Sequence, residues 1–98
     1  MNSQIIIVKE ICQGTFSNAE GYSLYCAIIN GLEVSDAIVL SFNEIDAVSS
    51  SFLNSSIGNV IDDMGMDTLK NRIKITHYTP TLAGVLKKYV ADYSHLSV

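Results

Sequence analysis

AIVLSFNEIDAVSSSFLNSSIGNVIDD, residues 37–63, changes its hydrophobic period partway along. Ala37 to Phe42 is almost continuously apolar, the pattern of a strand covered on both faces. Asn43 to Asp46 is turn chemistry. Leu53, Ile57, Val60, Ile61 and Met64 then fall at i, i+4, i+7, i+8 and i+11, a helical core stripe beginning near Phe52. Ser49, Ser50 and Ser51 occupy the junction, where first-turn N–H groups lack partners and the helix dipole is positive. A hydroxyl there caps the helix, and a phosphate there is well tolerated.

Working outward, Gln4 to Ile11 reads as a first strand, with IIIV apolar on both faces. A helix starts at Ser17 or Asn18, with Tyr22, Tyr25, Cys26 and Ile29 as its core stripe and Asn30-Gly31 as its stop. Gly21 inside it costs about 1 kcal/mol relative to Ala, which predicts close packing or a later start. Gly65 is the C′ residue of the second helix. Arg72 to His77 alternates, with Ile73, Ile75 and His77 inward. Thr79 and Pro80 are N-cap and N1 of a last helix carrying Leu82, Val85, Leu86, Tyr89, Val90 and Tyr93. The order is βαβαβα, and crossovers of a dozen or more residues imply parallel strands. The expectation is a single α/β domain over residues 1–98, with a small, mostly parallel sheet of three strands, or four if Thr15-Phe16 pairs. His95 is expected in a fraying tail.

Composition excludes several classes. A hydrophobic fraction of 48% with one proline belongs to a folded chain rather than a disordered one. No apolar run nears the ~20 residues that span a bilayer. MNSQ carries no cationic leader, so the expected place is the cytoplasm. Cys12 and Cys26, without CxxC or a neighbouring His, read as buried reduced thiols rather than a disulfide or zinc site. Asp62, Asp63 and Asp67 lack the DxDxDG spacing and read as a solvated corner. Nucleotide loops of the GxGxxG and GxxxxGK[ST] kinds are missing, so no cofactor is expected.

Residues 1–69 hold nine acids and one base, while residues 70–98 hold five bases (Lys70, Arg72, Lys74, Lys87, Lys88) and one acid. Without a motif around them those bases do not make a nucleic-acid face. The acidic part suits a basic protein partner.

Parallel strands deliver their C-terminal ends to one edge, where ligands and partners meet such folds. Asn43–Ser51 and His77–Thr81 share that edge. A Ser–His–Asp hydrolase can be drawn there from Ser50, His77 and Asp46. It lacks a G-x-S-x-G elbow, and 98 residues leave little wall for a pocket.

FNEIDAVSSSFLNSSIGNVIDD, residues 42–63, resembles the core of the STAS-like domains of unknown function, relatives of bacterial anti-sigma-factor antagonists. GTFSNAEGYSLYCAII, residues 14–29, resembles their earlier strand-end and helix, and the likeness runs from about Gly14 to Tyr93. In the antagonists an Asp-Ser-Ser-Gly motif opens this helix, and a partner kinase phosphorylates its first serine. The likeness places Ser49 at the Asp, Ser50 at the phosphoacceptor, Ser51 next and Phe52 at the Gly, so two of the four positions depart. It implies a non-enzymatic, regulatory protein-interaction module, partner of a histidine-kinase-like ATPase or another regulator. Its expected contact surface is Ser49, Ser50, Ser51, Phe52, Asn43, Glu44 and Asp46. The alternatives are a small-ligand or nucleotide-binding domain using the same helix N-termini, and a structural homo-oligomer paired through the apolar first strand if that strand lies at an edge.

Overall fold

A computed structural model describes the backbone over residues 2–96 and the side chains over residues 2–93. Its elements are β1 (Ser3–Ile7), α1 (Val8–Ile11), α2 (Asn18–Val34), β2 (Ala37–Ser41), α3 (Ser50–Ser55), α4 (Ile57–Met64), α5 (Met66–Arg72), β3 (Ile73–Thr76) and α6 (Pro80–Leu96). The three strands are parallel in the order β1-β2-β3, with Ile6, Leu40 and Ile75 in register across the sheet. Thr15 and Phe16 add no fourth strand; the Thr15 carbonyl accepts from Ser49 N at 3.0 Å, joining two loops. Among the described residues no helix is long and apolar enough to cross a membrane.

The strand order advances in one direction, so crossovers of one hand lie on one face of the sheet. Gly31 of α2 rests against Ile38, and Leu86 of α6 lines a groove with Ile75. Both contacts fall on the face of Ile38, Leu40 and Ile75. Fully buried Leu24, Ile28, Phe42, Phe52, Ile57 and Leu82 pack with that face into one core. Side chains on the opposite face follow the other register, Ile5–Val39–Lys74, and there Ile5 is 67% exposed. The expectation that both faces are covered is therefore corrected for β1; on the same face of β2, Ala37 and Val39 are half-buried and Ser41 is buried.

Other expectations shift for local reasons. β1 stops at Ile7 rather than Ile11, because a helical turn tucks Val8 and Cys12 into the core. The α2 helix passes Asn30-Gly31 and ends at Val34, capped by Ser35, whose N–H donates to Gly31 O at 2.9 Å. Its buried stripe is Gly21, Leu24, Ile28, Gly31 and Leu32, not the tyrosine stripe, and Tyr22 is exposed. Small residues set this rotation: a Cβ on Gly21 would come within 2.5 Å of Phe52 O, so the helices meet backbone to backbone there.

The second helix is broken at Ser56 (φ −109, ψ −85), whose buried hydroxyl donates to Phe52 O at 2.7 Å. Gly65 (φ 91) ends α4 as expected, in a conformation that favours glycine. An unexpected helix, α5, follows. It buries Leu69, and it aims Arg72 at the C-terminal carbonyls of α2 and its exit, Leu32 O, Ser35 O and Asp36 O, at 3.0, 3.1 and 2.9 Å. That ends α5 at Arg72 and starts β3 one residue later than expected. The start of α6 is as expected, with Leu82 N donating to Thr79 Oγ1 at 3.1 Å. Val85 lies outside the buried stripe, 41% exposed. His95 falls within α6, its side chain outside the described residues.

Candidate functional site

Three loops, not two, meet at the C-terminal edge of the sheet: residues 12–17, 42–49 and 77–79. The first was hidden by the α1 turn, and only Gly14 marks it in the sequence. Thr15 Oγ1 donates to Ala47 O at 2.6 Å, and Ser49 Oγ donates to Phe16 O at 2.9 Å. These bonds fix the first loop against the second. They also hold Phe16 on the rim with its ring 64% exposed.

Ser49 is the N-cap of α3: its hydroxyl oxygen accepts from Phe52 N at 3.0 Å while its proton goes to Phe16 O. Both hydrogen-bonding roles of that hydroxyl are occupied. Ser50 and Ser51, the first two helical residues, are exposed, and their hydroxyls make no hydrogen bond to another described residue. Helical geometry then turns Phe52 inward, where it is fully buried. Phe52 is therefore a core anchor and is corrected as a contact residue. The triple serine thus divides into one structural hydroxyl and two free ones.

The adjoining turn keeps Asn43, Glu44 and Asp46 exposed. Ile45 N returns to Phe42 O at 3.0 Å, and Glu44 takes a left-handed φ of 64. Lys9 pairs with Glu44 at 3.1 Å, but both side chains are solvated and such a pair contributes little. A depression of about 290 Å³ between the first two loops is lined by Lys9, Gly14, Thr15, Phe16, Glu44 and Asp46. With its one cation already paired beside two carboxylates, it is a poor cradle for an anion.

His77 does not lie under the helices. Its φ of 58 breaks the strand alternation and swings the ring, exposed, toward the face of Ser41 and Thr76. There Nδ1 lies 3.3 Å from Ser41 Oγ and 3.1 Å from Thr76 Oγ1. Ser50, His77 and Asp46 make no hydrogen bonds among themselves, so the drawn triad is not assembled.

Elsewhere, Asp62 accepts from Tyr93 of α6 at 2.6 Å and Asp63 accepts from Tyr25 of α2. The acidic corner is thus a clasp across three helices. Hydrogen bonding to Asp63 pushes the Tyr25 hydroxyl up to about 12; burial, then the bond to Asp62, does the same for Tyr93. Both cysteines are free thiols, Cys12 buried and Cys26 only half-buried. Burial, then the Glu20 carboxylate, raises the Cys12 thiol above its ordinary value. Of the five C-terminal bases, Arg72 is committed to α2's carbonyls, while Lys70 and Lys87 flank an apolar groove of about 410 Å³ floored by Ile75, Leu86 and Val90.

No curated protein and no solved structure matches the chain significantly. Residues 20–83 match the family described as STAS-like domain of unknown function (DUF4325), a span that takes in α2 from its third residue, the serine junction and β3. With most of its length inside that match and a parallel α/β sheet to go with it, the chain belongs to this family of STAS-like domains.

Proposed function

We propose that this chain is a non-enzymatic protein-interaction module, and that its contact surface is the rim formed by Phe16, Ser50, Ser51 and the turn Asn43–Asp46. The observation that carries this reading is the pairing of an exposed aromatic ring with two unengaged hydroxyls on a rigidly tied edge. Aromatic side chains on polar rims are the anchors that dominate protein interfaces. The partner in this reading is a histidine-kinase-like ATPase or another regulator with a basic contact surface, which Glu44 and Asp46 would favour.

Ser50 is the phosphoacceptor of this reading. It is exposed and unengaged, whereas modifying Ser49 would cost α3 its cap. A phosphate adds about −1.5 to −2 charges there, enough to reset the affinity of a charge-matched partner.

The test is affinity capture from native lysate with three baits: the native chain, Phe16→Asp and Ser50→Asp. The expected result is an ATPase or kinase-like protein retained by the native bait, reduced at least about tenfold by Phe16→Asp and retained more strongly by Ser50→Asp, whose carboxylate adds to the charge that a basic surface reads. Intact-mass analysis of the native bait then reads one added phosphate, and peptide fragmentation places it on Ser50. Equal retention by all three baits, or a native bait returning alone and unmodified, would sink the reading.

A further inference from the structure

Among the described residues both edges of the sheet are open, since β1 and β3 each pair only with β2. The two edges differ in what they present to another copy of this chain. β3 carries Lys74, and Lys70 and Lys87 flank the groove beside it. A copy pairing there would set lysines close together, which is how natural sheets guard an edge. β1, SQIII, has no charge at all.

Its backbone has a definite polarity. Ala37 N donates to Asn2 O at 3.2 Å, and in a parallel pair the residues facing the neighbour alternate. Asn2, Gln4 and Ile6 therefore turn their N–H and C=O groups toward β2. Ser3 and Ile5 turn both groups outward and Ile7 its N–H, while the Ile7 carbonyl, as N-cap, accepts the first bond of α1. Three outward residues centred on Ile5 form a self-complementary row: about a two-fold axis, Ile5 meets Ile5 and Ser3 meets Ile7.

We propose that β1 pairs antiparallel with β1 of a second copy about a two-fold axis at Ile5, joining two three-stranded sheets into one of six. The pairing satisfies about four main-chain hydrogen bonds, two between the Ile5 residues and two from Ile7 N–H to Ser3 C=O, at an edge that otherwise offers them only to water. It lays the two Ile5 side chains, each 67% exposed in the single chain, against one another. On the helix side of the same edge Ile11, Ala27 and Val34 line a depression of about 370 Å³, with Val34 72% exposed and Ile11 43%. A second copy would cover them.

The nearest acids are Glu10, past the strand's end, and Asp36, whose carboxylate lies 3.4 Å from Asn2 N at its start. The two-fold holds the two copies of each about 20 Å apart. That exceeds the screening length in physiological salt. A single chain of net charge −4 otherwise repels its copy, which leaves the neutral strip as the favoured approach. This pairing goes beyond the partner reading and stands without it, because it is measured on the purified chain alone.

The test is sedimentation velocity over a range of concentrations. The native chain is expected as a dimer. Ile5→Pro removes an outward N–H while leaving the β1–β2 ladder intact, and should weaken association at least about tenfold. Far-UV circular dichroism checks that this variant folds; if it does not, Ile5→Lys carries the same expectation. Ile5→Cys should cross-link under mild oxidation, since the axis brings its two copies within disulfide reach. A native chain that stays monomeric throughout would overturn the proposal. So would dissociation by Val39→Lys but not by Ile5→Pro, which would place the contact on the sheet's open face instead.

Discussion

The two faces of this sheet are built from the same strands and from similar side chains, yet they meet different surroundings. On one face Ile38, Leu40 and Phe42 are fully buried; on the other Ile5 is largely exposed, Val39 half-buried and Lys74 exposed. Hydrophobicity does not separate them, because Ile5 and Val39 are as β-branched as Ile38. Topology does. A strand order that never reverses places its crossovers on one side, whatever the other side would prefer. Parallel sheets are usually covered on both faces, so the open face marks where this fold departs from the common pattern.

The comparison can be broken by substitution. Phe42→Ala, on the covered face, should cost about 3–5 kcal/mol in urea unfolding, through lost burial and the cavity left behind. Val39→Ala, nearly beside it but on the open face, should stay within about 1 kcal/mol. Equal costs would mean that the open face is covered in solution. A smaller effect sharpens how tightly the cover fits. Gly21→Ala should destabilise by about 1–3 kcal/mol despite alanine's better helix propensity, because its methyl group meets the backbone of Phe52. A stabilised variant would show that α2 can lift off α3 freely.

The smallest effect is expected at high pH. Tyr25 and Tyr93 hold their protons up to about 12, against 10.0 for an unperturbed tyrosine. Each folded pKa is raised, so the contribution is fully present below pH 10 and is lost as the pH rises from 10 to 12. The Tyr25→Phe, Tyr93→Phe double variant should lose less stability across that window. The same slope for both proteins would mean that the clasp on Asp62 and Asp63 is too exposed to matter.

Much of the fold was legible because each strong signal was local. The run from Ala37, the Thr79-Pro80 start and Gly65 all stand where their chemistry requires. What escaped was set by distant contacts. The tilt of α2 depends on Gly21 meeting Phe52 and Gly31 meeting Ile38, partners that periodicity within α2 cannot reveal. The α5 helix depends on Arg72 reaching carbonyls in residues 32–36. At the site, the cap role open to the serines was readable. Which serine takes it was decided by Phe16 O, from a loop that one extra helical turn had concealed. His77 was misplaced because alternation assumes a strand that continues, and its left-handed φ ends it.

The one-directional strand order also has a kinetic consequence. Twenty-nine residues separate β1 from β2 and 31 separate β2 from β3, so closing either crossover costs nearly the same entropy, within about 0.1 kcal/mol. Neither pairing has a head start, and both need β2, which makes the central strand the natural centre of a folding nucleus. β1 contributes one ladder and is then free to peel away without disturbing β3. Opening at such an edge strand is one route by which the folded chain begins to come apart. A second copy seated on β1 would close that route, and because the contact is absent from the opened state its contribution appears almost wholly as slower unfolding.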